Sequence, residues 1–370
     1  MADAPMEEHR YPCEQCGADL RYSPGATELV CDFCGHRQDV APAGRERLAD
    51  LSELDYDAAA AGHLPPAMVE ESRVLQCPNC GAQVEFDQAV HAAECPFCAT
   101  PVVTDTGTHR HIKPQGVLPF TFSEDQARKA LSAWLGRLWF APNGVQEYAR
   151  KGRRMQGIYT PFWTFDADTR SRYSGARGDH YYETRTVRVQ TKDGPATREQ
   201  RVQKTRWTPV SGRVARHFDD VVVLASTSLP REHVDSLQPW DLTQLEAYRP
   251  DFLAGFRAEG YTVGLEDGHG IAREQMAAII RQDVRRDIGG DVQRIDGVDT
   301  DYSQETFKHI LLPLWLAAYK FRGKSYRFVV NGQTGEVKGE RPWSAIKIAI
   351  AVIVAAILAA GAWYVSQMQG

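Results

Sequence analysis

Lysine is missing from the first 110 residues of this 370-residue chain, where seven arginines stand against nineteen aspartates and glutamates, a net charge of −12. Binding to nucleic acid requires cations that displace phosphate counterions, so this half favours docking to protein. No apolar run opens the chain. Residues 1–10 are acidic, which argues against a secretory signal and keeps the N-terminus in the cytoplasm. Catalytic signatures are missing as well: neither His-Glu-x-x-His nor Gly-x-Ser-x-Gly occurs. Gly323-Lys324-Ser325 resembles the end of a phosphate-binding loop, but Ala318 stands where a glycine is required. Gly268-His269-Gly270 reads as a turn before a helix, since Arg273 replaces the third glycine of a dinucleotide fingerprint. His217, Asp219 and Asp220 offer an acid/base set, which a loop entering a strand explains equally well. The expectation is a non-enzymatic protein.

Residues 348–365, IAIAVIVAAILAAGAWYV, contain no charge and no proline. At about 1.5 Å of rise per residue they reach roughly 27 Å as a helix, close to the thickness of a bilayer's hydrocarbon core. Trp363 and Tyr364 form an interfacial aromatic pair, while Lys338, Arg341 and Lys347 lie on the other flank. The positive-inside bias therefore predicts a single-pass, tail-anchored protein of the cytoplasmic (inner) membrane with its N-terminal bulk in the cytoplasm. Ala351, Ala355 and Ala359, spaced by four, permit close helix contacts and hence homo-oligomers.

All eight cysteines fall into two matching sets. Cys13, Cys16, Cys31 and Cys34 recur 64 positions later as Cys77, Cys80, Cys95 and Cys98, with fourteen residues between the Cys-x-x-Cys pairs of each set. In a reducing compartment such cysteines point to metal rather than disulfides. Each Cys-x-x-Cys turn aims two thiolates at one point, and two turns complete a tetrahedral site: a zinc ribbon. Two structural Zn²⁺ ions are expected, rubredoxin-like iron being the alternative. His36 and His91 are surplus to a filled site. Between the sets, Leu48, Leu51 and Leu54 predict a helical spacer over residues 45–61.

The rest is more basic, 36 Lys and Arg against 29 acidic residues from position 111 onward. Ser123 and Gln126 predict a capping box opening a helix whose apolar face includes Ala127, Leu131, Trp134 and Leu135. A second helix follows Gly270 and ends at Gly289-Gly290, with Met276, Ile280, Val284 and Ile288 on one face. Ile158, Pro161 and Trp163 recur at Ile310, Pro313 and Trp315, 152 positions on, which predicts a duplicated α+β unit. Residues 181–190 and 198–207 flank Lys192-Asp193-Gly194-Pro195 as a long hairpin. It lies within residues 150–216, where sixteen Lys or Arg face six acidic residues. Anionic lipid headgroups and a solvated polar surface are both readings of that region.

With the two ribbons, residues 157–167 (GIYTPFWTFDA) and 306–315 (TFKHILLPLW) resemble the bacterial TFIIB-type zinc-ribbon-containing membrane proteins over nearly the whole chain. Members are often labelled primosomal protein N-prime (replication factor Y helicase), but a helicase motor needs a phosphate loop this chain does not have. Residues 312–339 are also similar to membrane-anchored zinc-ribbon partners of SPFH/flotillin-like and phage-shock-type scaffolds, which implies recruitment to a membrane. The expected fold is multidomain: ribbon 1 (1–40), helical spacer (41–73), ribbon 2 (74–110), duplicated α+β cytoplasmic body (111–340) and transmembrane anchor (341–370). The expected function is a non-enzymatic adaptor docking a cytoplasmic protein partner. The alternative is nucleic-acid binding through residues 150–216.

Overall fold

The computed structural model describes residues 11–26, 28–40, 51–65, 68–76, 83–85, 93–94, 101–102, 108–138, 140, 155–191, 194–321, 324–340 and 344–368. Cys77, Cys80, Cys95 and Cys98 lie outside these, as does His91. The first elements are three short antiparallel strands, β1 (Leu20–Tyr22), β2 (Glu28–Cys31) and β3 (Arg37–Asp39). Helix α1 (Glu124–Gly136) follows, opened by the expected capping box: the Gln126 N–H donates to Ser123 Oγ and the Ser123 N–H to Gln126 Oε1.

Three long antiparallel strands make the body: β4 (Gln156–Thr191), β5 (Gly194–Leu224) and β6 (Val292–Phe321). β4 is central, so Phe162 faces Leu224 on one side and Ile310 on the other. That position explains the unbroken apolar run at its start. Ile158, Tyr159, Phe162, Trp163 and Phe165 are buried among neighbours on both faces. Helix α2 (Leu265–Ile288) covers one face, setting Ala272, Met276, Ile280, Val284 and Ile288, one residue in four, against Phe165, Tyr173, Phe218 and Phe307. Strands β7 (Lys324–Asn331) and β8 (Val337–Gly339) close the far side. Helix α3 (Ala345–Met368) leaves from there, and within it residues Ile346–Tyr364 are long and apolar enough to cross a membrane, with none of the span buried.

Two sets of contacts recur with constant offsets. Gly116 and Val117 pair in parallel with Ile310 and Leu311, while Arg257 and Ala258 pair in parallel with Ile158 and Tyr159. The Trp315 indole N–H donates to Phe122 O, two residues before α1 begins, and the Trp163 indole N–H donates to Val263 O, two residues before α2. Phe120 lies 5.0 Å from Trp315, and Tyr261 lies 5.0 Å from Trp163. In every case the pre-helix segments differ by 141 positions and the strand residues by 152.

Two expectations are corrected. The spacer predicted as helix over residues 45–61 is α-helical only at Tyr56–Ala60 among its described residues, because Leu54–Asp55 pairs as strand with Thr306 and Phe307. The second helix starts at Leu265, not after Gly270. Gly268 sits inside it, where an added Cβ would lie 2.6 Å from Trp163 Cδ1, so glycine answers a close approach rather than a turn. Ribbon 1 packs on the body: Leu20, Tyr22, Leu29 and Val40 share one apolar cluster with Phe120, Phe252, Leu253 and Trp315. The Tyr22 N–H donates to Ala254 O at 3.0 Å and the Gly25 N–H to Phe120 O at 2.9 Å.

Candidate metal centre

Two turns of identical construction face each other in ribbon 1. In the first, the Gly17 N–H donates to Cys13 O at 2.8 Å and the Cys13 N–H to Ala18 O at 2.7 Å. In the second, the Gly35 N–H donates to Cys31 O at 2.9 Å and the Cys31 N–H to His36 O at 2.8 Å. Gly17 and Gly35 sit at φ of 72° and 74°, which a residue with a Cβ adopts only under strain. Each turn thus brings its two sulfurs to one side, and β2 carries the second turn onto the first.

The Sγ atoms of Cys13, Cys16, Cys31 and Cys34 all lie within 4.8 Å of one another, with Cys13–Cys34 and Cys16–Cys31 each at 3.5 Å. Zn–S bonds of about 2.3 Å in a tetrahedron imply sulfur separations of roughly 3.8 Å, so the arrangement fits such an ion. Backbone donors fit it as well. The Cys34 N–H, with help from that of Phe33, holds the Cys31 thiol down to about 7. Cys34 receives the His36 N–H, yet burial and the three neighbouring thiols push it up to about 12. Four thiols this close resist joint ionisation unless a cation sits among them. Cys13 and Cys31 are buried toward the body, while Cys16 and Cys34 face outward. His36 contributes no ligand atom to the group. The remaining four predicted ligands, Cys77, Cys80, Cys95 and Cys98, fall among the undescribed residues.

The other acidic gathering is Asp166, Asp219 and Asp220, and it already holds a cation of its own. Lys308 Nζ lies 2.9 Å from Asp220 Oδ1, 3.2 Å from Glu53 Oε1 and 3.9 Å from Asp166 Oδ2. His217 pairs with Asp168 at 2.8 Å on the exposed surface, while Asp220 is taken by Lys308. Sequence reading missed Lys308 and Glu53, which lie 255 positions apart and carry no local signature.

A protein of Bacillus subtilis (strain 168), described as uncharacterized protein YdjG, is similar to this chain. The two are 26% identical over 343 residues, which cover 92% of each. No family model matches the chain, and no solved structure matches it.

Proposed function

We propose that this protein is a non-enzymatic, membrane-anchored adaptor that docks a cytoplasmic protein through its zinc ribbons. The observation that carries this reading is a juxtaposition at one end of the body. There an exposed apolar helix follows β8, whose Val337 lies in the same apolar cluster as an acidic ribbon that is packed on the body and turns Phe33 outward, 87% exposed. Ser344 ties the helix start to this end by donating to Phe140 O at 2.8 Å, shortly after α1, which belongs to the same cluster as the ribbon. Four thiolates close a coordination sphere and leave no place for a reacting water, which supports a structural metal. Phe97 occupies the position of Phe33 in the second cysteine set, so both ribbons carry the same aromatic beside their last cysteine. With the ribbons cytoplasmic, the partner class implied by the sequence resemblance is a membrane scaffold of the SPFH or phage-shock type.

The test is crosslinking and recovery from membranes of the full chain and of its Phe33→Ala/Phe97→Ala and Cys16→Ser/Cys80→Ser variants. One protein partner recovered with the intact chain and lost with both variants is the expected result. Recovery of nucleic acid alone would overturn the reading. Nucleic-acid binding through residues 150–216 draws less support, because many of those cations are already paired: Arg172 with Asp299 and Asp301, Arg177 with Asp179, Lys204 with Glu183 and Arg216 with Asp283.

The recurring offsets of 141 and 152 support the duplicated α+β unit in an intertwined form. Each unit is a short strand, a helix and a long strand. The strand of one unit then pairs with the short strand of the other, and its tryptophan holds the start of the other unit's helix. Thr160 and Leu312, themselves 152 apart, face each other on the local two-fold axis.

A further inference from the structure

β6 begins at Val292, opposite Gly178, and beyond that point β4 and β5 continue through thirteen pairs with no third strand beside them among the described residues, from Asp179 with Arg206 to Thr191 with Gly194. The two-stranded arm is about 43 Å long at roughly 3.3 Å per residue. Such a ribbon is marginal in water without a further strand or a covering face. Its two edges differ. The β5 edge carries Pro195 near the tip of the arm, a residue that discourages pairing. The β4 edge from 179 to 191 has neither proline nor glycine, and seven of its thirteen residues are Tyr, Thr or Val.

The backbone shows which groups this edge presents. Gly178 O accepts from the Asp291 N–H at 2.9 Å, and the His180 N–H donates to Asp291 Oδ2 at 2.6 Å, so even-numbered residues direct their amides toward the β6 side. By the two-residue repeat, Tyr182, Thr184 and Thr186 offer N–H and C=O along the open edge. His180, already satisfied by Asp291, marks its near limit.

We propose that this edge pairs, antiparallel and about a two-fold axis through Thr184, with the same edge of a second copy of the chain. The register is selected by charge. Centred on Thr184, Tyr182 meets Thr186, and Glu183 of each copy lies directly opposite Arg185 of the other, both on the same face. A centre at Glu183 or Arg185 sets like charges opposite, and one at Thr186 sets Glu183 and Arg185 against Val189 and Val187. Glu183 and Arg185 are 40% and 61% exposed, and although Glu183 already pairs with Lys204 of its own chain, that exposure leaves its carboxylate open to a second cation from a neighbour. The result is a four-stranded sheet in which the arm gains the support its own chain does not supply.

The experiment uses full-length protein in detergent, with light scattering for self-association. Arg185→Glu places two Glu–Glu pairs across the axis and Glu183→Arg two Arg–Arg pairs. Each variant is expected to weaken the dimer roughly tenfold or more, two cross-strand pairs reversed at up to about 1 kcal/mol each. The decisive arm mixes the two variants under different tags. Glu183→Arg and Arg185→Glu chains restore both opposite-charge pairs only across the interface, so a mixed dimer that neither variant forms with itself supports the proposal. Three results overturn it: a wild-type monomer, a dimer indifferent to either reversal and so held elsewhere (by α3, for instance), and variants that fail to associate when mixed. Salt-dependent retention on duplex DNA that rises with Glu183→Arg while the chain stays monomeric would assign the arm to nucleic acid instead.

Discussion

Lys308 shows what one buried charge can organise. Its side chain is 10% exposed, and it joins Asp166 on β4, Asp220 on β5 and Glu53 from the segment beside β6. Burial pulls the ammonium down, but Asp220 first and then Asp166 and Glu53 raise it above its ordinary value. A raised lysine contributes stability that is fully present below about 10.4 and lost as pH climbs through the folded value. Lys308→Met strands the carboxylates, so a loss of about 3–5 kcal/mol is expected in denaturant unfolding. A second knot has the opposite sign. Burial raises the Glu305 carboxyl, but Arg273 and then His269 outweigh it and hold the group below its usual range. His269 Nε2 lies 2.8 Å from Glu305 Oε1, and Arg273 Nη2 2.5 Å from Glu305 Oε2. This contribution is present above about 4.3 and vanishes as pH falls through the folded value. The stability gap between wild type and Arg273→Met should therefore be open at pH 7 and close below about pH 4 in thermal melts. Neither knot was legible in the chain, since Lys308 stands 255 positions from Glu53, and Glu305 stands 36 and 32 positions beyond His269 and Arg273.

Among the elements, ribbon 1 depends most on something other than its own apolar surface. Strands of three and four residues bury little, and Tyr22, pushed up to about 12 by burial and then by Glu246, is covered by the body rather than by the ribbon. Metal removal should release both the turns and the docking contacts. Amide exchange at Tyr22 and Gly25, which donate to Ala254 and Phe120, is expected to rise by orders of magnitude on chelation while that of α2 stays slow. Protection unchanged by chelation would show that packing alone holds the ribbon. The cysteine spacing and the capping box of α1 were readable because both are local geometry. The start of α2 was misread because two closely spaced glycines resemble a turn, when Gly268 serves Trp163, 105 positions earlier in sequence. The spacer was misread because leucines at helical spacing predict a helix only if no strand edge captures them, and β6 captures Leu54.

At the scale of the whole molecule, β4 sets the dimensions: thirty-six residues at roughly 3.3 Å each give a strand near 120 Å long. Helix α3 leaves at one end of it and the arm lies at the other. Removal of residues 345–370 should yield protein soluble without detergent, checked by ultracentrifugal fractionation, because the exposed apolar span is gone.

The sequence by itself determined the features whose physics is short in range: a thiolate quartet built from two tight turns, a capped helix, and an uncharged stretch long enough for a bilayer. Tertiary structure decided what those pieces meet. The ribbon is packed on the body, Trp163 and Trp315 each hydrogen-bond the segment that leads into a helix, and β4 runs past β6 to leave an edge that no other described residue pairs. Those outcomes depend on strand register and on contacts across a hundred residues or more, where the free energy lies in the pairing of surfaces rather than in any local pattern.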